Sequence, residues 1–211
     1  MGLRVTTNMP ATNAQRNLIN SQRQMEKSSA QMASGNRINR SADDAAGLAI
    51  SENMKSQIRS STQARRNAND GVSLVQTAEG GLSETSNIIT RMRELAIQSS
   101  SDTVGQQERD MIDREVQQLK SEIDRISQTT AWNSTKLLDG STPLFDFQVG
   151  LFSSENDKIE FNSSLNVSTL AALELSELDY TSKETSRTAL DFLDGAQTKI
   201  NGMRSNLGAL Q

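Results

Sequence analysis

The run Ser34–Gly47, SGNRINRSADDAAG, constrains the fold more than any other stretch, because it places a turn and a helix start between two long helical repeats. Upstream, apolar residues recur at Ala11, Ala14, Leu18, Met25 and Met32, spaced by three, four or seven, which makes one narrow stripe on a helix. Gly35 supplies the residue most at ease in the left-handed conformation that ends helices. Ser41 is placed to cap the next helix, with Asp43 and Asp44 in its first turn, where the helix dipole favours negative charge. From there the helical pattern runs without a proline to about Ser100. A helix approaching ~60 residues far exceeds the globular average of ~11–12. No single compact core stabilises such a helix, so it must lie against partners along its length.

Composition agrees. Hydrophobic residues make up 34% of the chain and aromatics 3%. Burial contributes roughly 25 cal/mol per Å² of apolar surface, so a chain poor in large side chains favours narrow seams between helices over a compact monomeric core. Pro10 and Pro143 both lie outside the long helical tracts.

The charges, 22 basic and 26 acidic residues for a net −4, are interspersed. A nucleic-acid binder carries a basic patch or stripe. The nearest candidate, Arg59, Arg65 and Arg66, reads instead as a solvated face or as ion-pair partners for a neighbouring helix, so no nucleic-acid partner is expected. No apolar run approaches the ~18 residues of a membrane span, so no membrane partner is expected either. The N-terminus, MGLRVTTNMPATNAQRN, lacks the continuous apolar core of a secretory signal. Gly2 with Thr6 meets the bare pattern of a myristoylated start, a pattern too short to carry weight.

Enzymatic chemistry finds no footing. Without cysteine there is no disulfide or thiolate metal site, and without histidine no imidazole acid–base pair, triad or metal ligand. Asp43 and Asp44 are neighbours on a helix and do not face one another. No GxxxxGK[ST] phosphate loop occurs. The expectation is no catalytic residue, no metal and no cofactor.

Beyond Gly47 the positions Ile50, Met54, Ile58, Ala64, Ala68, Val72, Val75, Ala78, Leu82, Ile89, Met92 and Ala96 keep helical spacing, with intervals loose enough for the stripe to drift around the helix. The pair Gly80–Gly81 either bends this helix or lets a neighbour approach closely. After a loop at SSSDTVG, a third helix is predicted. Its Ile112, Val116, Leu119, Ile123 and Ile126 form the cleanest heptad stripe of the chain and are the expected packing residues. A short loop folds such a helix back antiparallel to its predecessor. Asn133–Gly140 and Ser141–Pro143 are turn-rich, and Leu144–Val149 then alternates apolar and polar residues as a half-buried strand does, with Lys158–Phe161 as its hairpin partner. A mixed segment with helical turns around Leu170–Leu178 leads to a last helix from near Ser182, carrying Ala189, Phe192, Leu193, Ala196, Ile200, Met203, Leu207 and Leu210.

Five motifs, SGNRINRSADDAAGLAIS, QARRNANDGVSLVQTAEGGLSE, RMRELAIQSS, EIDRISQTTAWNSTKLLDG and INGMRSNLGALQ, stand in the order in which bacterial flagellin has them. The chain resembles that family over most of residues 1–140 and about 185–211. The resemblance implies a structural subunit of the flagellar filament, self-assembling through coiled-coil helices for motility. The fold expected is mainly α, an elongated bundle of long antiparallel coiled-coil-like helices with a small β-hairpin region. By analogy, residues 1–40 form an inner-layer helix, 41–181 the outer-layer helices and hairpin, and 182–211 the start of a returning helix. Implied partners are other flagellin subunits, a flagellar export chaperone and a cap protein, with export to the extracellular flagellum that needs no cleavable signal peptide. The family carries a further terminal helix after the NLGALQ-like segment. The chain therefore reads as trimmed, its N-terminal stripe unpartnered within the molecule and disordered or held by a neighbour, and no normal filament is expected from it unaided.

Resemblance to flagellins bound by the vertebrate innate immune receptor implies a recognised surface at Arg91, Leu95 and Glu115. Read as packing, Leu95 is a core residue and the two charges are inter-helix or inter-subunit contacts. A flagellin-like protein of the hook–filament junction is the remaining alternative.

Overall fold

The computed structural model describes residues 8–141 and 144–211, which fall into two compact units, Met1–Ser60 and Ser61–Gln211. The myristoylation-like start at Gly2 and Thr6 lies outside the described residues, as does most of the turn read at Ser141–Pro143.

In the first unit, helix α1 runs Met9–Ser34. The Asn8 side chain accepts from the Ala11 N–H at 3.3 Å, Pro10 falls inside the helix rather than before it, in the first turn where its missing N–H costs nothing, and Gly35 at φ 69° ends the helix. The turn that follows is held by side chains. Gln31 Nε2 donates to the Arg37 carbonyl at 2.7 Å and Asn39 Nδ2 to the Ala30 carbonyl at 3.1 Å. Helix α2, Ala45–Ser99, starts later than the Ser41 cap expected from the sequence. Asp44, rather than Ser41, caps it, its Oδ1 accepting from the Gly47 N–H at 2.8 Å. Asp43 stays outside the helix because the turn claims its carboxylate, which accepts from the Asn39 and Arg40 N–H groups and pairs with Lys27 at 2.8 Å. The Lys27 ammonium, bonded directly, holds that carboxyl below its usual 3.8.

The second unit takes the remainder of α2 together with α3, Gln106–Thr129, and α4, Lys183–Leu210. Contacts fix both as antiparallel to α2. Arg109 of α3 donates to the Ser99 carbonyl at 2.9 Å, while Glu115 meets Arg91. Along α4, Ser186 meets Ser99, Asp194 meets Arg93, and Gln197 meets Ser86. Arg109 also donates to the Ser101 carbonyl, so one guanidinium satisfies carbonyls left open at the end of α2. A capping box, Ser182 with Thr185, starts α4.

The core is the seam among these helices: Leu74, Val75, Ala78, Leu82, Ile89, Met92, Leu95 and Ala96 of α2, Ile112, Val116 and Ile123 of α3, and Ala189, Leu193, Ala196, Ile200 and Leu207 of α4. Between α3 and α4 lie two antiparallel hairpins. The first, β1 Ala131–Trp132 with β2 Thr135–Lys136, turns through Asn133 and Ser134, both at positive φ as a two-residue primed turn requires. The turn-rich composition of Asn133–Gly140 predicts only turns there. The second pairs β3, Leu144–Gln148, with β4, Lys158–Asn162, in the register Phe145↔Phe161 and Phe147↔Ile159. It docks on α2, where Asn67 donates to the Gln148 carbonyl at 3.0 Å and Phe147 sits over Gly71.

Residues 170–181 form an irregular strap that buries Leu173, Leu175, Leu178 and Tyr180. Polar side chains along α3 grip its backbone. Gln106 Nε2 donates to the Thr181 carbonyl at 2.8 Å, Asp113 accepts from the Tyr180 N–H at 3.0 Å, and the buried Lys120 ammonium donates to the Ser176 and Leu178 carbonyls at 2.7 and 3.2 Å. Tyr180 O–H donates to the Met92 carbonyl at 3.2 Å. Burial, with the Asp113 charge nearby, pushes the phenol well above its ordinary 10.0. A raised folded value makes this contribution complete below the ordinary phenol range and erodes it as pH climbs past that range, because the unfolded chain releases the proton first. The single tyrosine should therefore ionise only as helix is lost, followed by tyrosinate absorbance and circular dichroism across an alkaline titration. A tyrosinate signal with an ordinary midpoint in a fully helical protein would contradict this.

The two glycines of the α2 pair have different tasks. A Cβ on Gly80 meets nothing within 4 Å, whereas one on Gly81 falls 2.8 Å from both Leu138 Cδ1 and Thr130 Oγ1. Leu138 is fully buried, and Thr130 Oγ1 is committed to the Ile126 carbonyl at 2.7 Å, so neither yields cheaply. Gly80→Ala should stabilise the protein by up to about 1 kcal/mol through helix propensity. Gly81→Ala should destabilise it, since overpacking costs typically ~1–3 kcal/mol. Thermal unfolding of both variants checks the opposite signs.

Candidate assembly surface

Two regions offer exposed surface for contacts with other molecules. The first is the stripe of the first unit. Helix α1 buries none of its residues, and Leu18, Met25 and Met32, seven residues apart, stand exposed on one face. The first part of α2 does the same with Ile50, Met54 and Ile58. From Ala64 onward most of the α2 stripe turns inward and is buried, with Ala68 half-buried and Val72 still exposed. A continuous periodic pattern in the sequence is thus divided by the fold into an open half and a packed half. Apolar side chains repeated at this spacing and left in water mark an interaction surface.

The second region is the α2–α3 face. Arg91 Nε and Nη2 donate to Glu115 Oε1 at 3.1 and 3.0 Å, and Nη1 donates to Glu94 at 3.0 Å. Glu94 first, then Glu115, hold the guanidinium above its ordinary pKa. Both charged side chains remain about half exposed, 51% and 44%, so the pair is accessible. Leu95 stands apart from them. It is 2% exposed and belongs to the core, leaving only Arg91 and Glu115 of that trio at the surface.

On α3, Ile112, Val116, Ile123 and Ile126 are buried, while Leu119 is half-buried at the edge of the core. The next position, Lys120, is buried in its place, drawn in by the strap carbonyls. Heptad reading misses this because a lysine scores as solvated, and only the carbonyls of a distant segment make its burial tolerable. Among the described residues, no cluster of acidic side chains could hold a metal ion, and no helix is long and apolar enough to cross a membrane.

The family model for the bacterial flagellin N-terminal helical region matches residues 5–142, and the flagellin of Halalkalibacterium halodurans is 43% identical over 207 residues, covering 98% of this chain and 75% of that protein. The chain belongs to the flagellin family. Flagellins are structural subunits of the extracellular flagellar filament. A Clostridium tyrobutyricum flagellin is 48% identical over 166 residues, which cover 78% of this chain and 42% of the relative. Vibrio cholerae flagellin B is 46% identical over 155 residues, 74% of this chain and 41% of the relative. The chain therefore spans about two-fifths of the length of these two relatives and three quarters of the first. Among solved structures, Bacillus cereus flagellin superposes with a TM-score of 0.61 at 30% identity, covering 68% of this chain and 81% of that one. FliC from Burkholderia pseudomallei, at 18% identity and a TM-score of 0.59, shares the fold over 67% of this chain and 98% of its own.

Proposed function

We propose that this flagellin assembles through the open stripe of its first unit, Leu18, Met25 and Met32 of α1 with Ile50, Met54 and Ile58 of α2, each copy's stripe being covered by neighbouring copies. The carrying observation is a helix of 26 residues with no buried side chain and a strict heptad of exposed apolar ones. An isolated helix with so narrow a stripe is marginal in water, and packing against another copy supplies what its own fold withholds. Its role is structural rather than catalytic. Before assembly an export chaperone, and at the growing end a cap protein, would shield the same stripe, with no cleavable signal peptide needed for export.

The test compares wild type with a Leu18→Glu, Ile50→Glu variant by sedimentation velocity over a wide concentration range, with electron microscopy of any polymer. Wild type should associate with rising concentration, and the variant should stay monomeric with unchanged melting of the Ser61–Gln211 unit. Equal association of both proteins would show that the stripe is not the contact.

Recognition by a host receptor at the α2–α3 face is a second reading, favoured by the accessibility of Arg91 and Glu115. Leu95, being in the core, would support that surface from beneath rather than touch the receptor. Glu115→Ala should weaken receptor binding without altering the circular dichroism of the protein.

A further inference from the structure

The open stripe is rich in methionine to a degree that its packing role does not demand. Of the chain's eight methionines, Met25, Met32 and Met54 lie on that stripe at 70%, 78% and 58% exposure. Two other positions supply internal references. Met111 is equally exposed, at 58%, but lies on the solvated side of α3, and Met92 is fully buried in the core of the second unit. Leucine at the stripe positions would bury as much apolar surface without bringing an oxidisable sulfur.

We infer that Met25, Met32 and Met54 form an oxidation-sensitive modification site, at which hydroperoxides convert the thioethers to sulfoxides and so switch off association of the free subunit. The step balances without a cofactor. A sulfur lone pair takes the terminal oxygen of hydrogen peroxide, an S–O bond forms as the O–O bond breaks, sulfur loses two electrons, and the peroxide leaves as water. Sulfoxide formation turns a flexible apolar side chain into a polar one, which disrupts methionine-rich contacts and is reversed by the two epimer-specific sulfoxide reductases. Accessibility dictates the order of attack, so the stripe reacts in the dissociated subunit and is shielded once neighbours cover it. The inference rests on the assembly reading given above.

The experiment treats the full chain with hydrogen peroxide as a dilute monomer and follows each methionine by peptide mass spectrometry. Sedimentation velocity is then run on wild type and on a Met25→Leu, Met32→Leu, Met54→Leu variant, before and after treatment. Met25, Met32, Met54 and Met111 should oxidise at least about tenfold faster than Met92, and oxidised wild type should associate at least about tenfold more weakly, a change that corresponds to the loss of a single favourable contact. The leucine variant should associate normally after treatment even though its Met111 is oxidised, and the paired reductases should restore wild type. Unchanged association of fully oxidised wild type, or equal loss in the leucine variant, would overturn the switch while leaving the assembly reading standing, provided that the Leu18→Glu, Ile50→Glu variant still fails to associate. If untreated wild type and that glutamate variant are equally monomeric at every concentration, the assembly reading fails and the switch fails with it.

Discussion

Ile123→Ala is expected to lower the stability of the Ser61–Gln211 unit by about 2–5 kcal/mol, and Leu119→Ala by clearly less. Ile123 is fully buried on α3 within the hydrophobic cluster that also takes in residues of α2 and α4, so truncation leaves a cavity in a packed core. Leu119 belongs to the same heptad but sits at the edge of that seam, where water already reaches part of it and the gap refills. Against a total stability of about 5–15 kcal/mol, the first change is a large fraction of what holds the unit together. Each kcal/mol moves Tm by roughly 2–4 °C in a domain of this size, so thermal unfolding resolves the two variants easily. Glu115→Ala serves as the control. Its carboxylate pairs with Arg91 in solvent, and Arg91 keeps Glu94 as a partner, so melting should barely move. Equal losses from Ile123→Ala and Leu119→Ala would mean that the inner face of α3 is rotated from the one described.

Lys120→Met is the second substitution with a large expected effect, about 1.5–3 kcal/mol, the usual worth of hydrogen bonds to a charged donor. Methionine fills nearly the same volume, so packing is largely kept and the loss isolates the ammonium. Without it the Ser176 carbonyl loses its donor and the Leu178 carbonyl keeps only Gln117 Nε2, at 3.3 Å, in a strap that has no regular secondary structure. The damage should be local first. Hydrogen exchange of residues 176–181, including the Tyr180 amide held by Asp113, should quicken before that of the α2 and α4 cores. Unchanged exchange in the strap together with unchanged stability would show that Lys120 is an incidental burial and not the clamp of this segment.

Much of this architecture was legible from local pattern. The helices α1, α3 and α4 follow from apolar spacing, with Gly35 ending the first and Ser182 near the start of the last, and the β3–β4 hairpin from the switch to period two at Leu144. The flagellin motifs stand contiguous in the chain, so the family needed no structure to be recognised. The candidate site was half legible. Periodicity names Leu18, Met25 and Met32 as part of one apolar stripe and Ile50, Met54 and Ile58 as the start of a second, but it treats the latter as equal to Ala64, Ala78 and Leu82 farther along, which are buried.

Periodicity fixes which face of a helix is apolar, and capping chemistry fixes where a helix can begin and end; both depend on residues within a turn or two of each other, and those the sequence by itself determined. Tertiary structure alone decided what meets each face. It placed a partner against α2 from Ala64 onward and left the earlier stripe open, and it gave the α2 cap to Asp44 by occupying Asp43 with Lys27 and the turn. It buried Lys120 in preference to Leu119 by setting the strap carbonyls above it, and it made Gly81 indispensable and Gly80 replaceable by bringing Leu138 and Thr130 to one of them. Apart from the Asp44 cap, where the Asn39 and Arg40 N–H groups act locally beside Lys27, the free energy of these choices lies in contacts between segments that are distant in sequence, which no local pattern records.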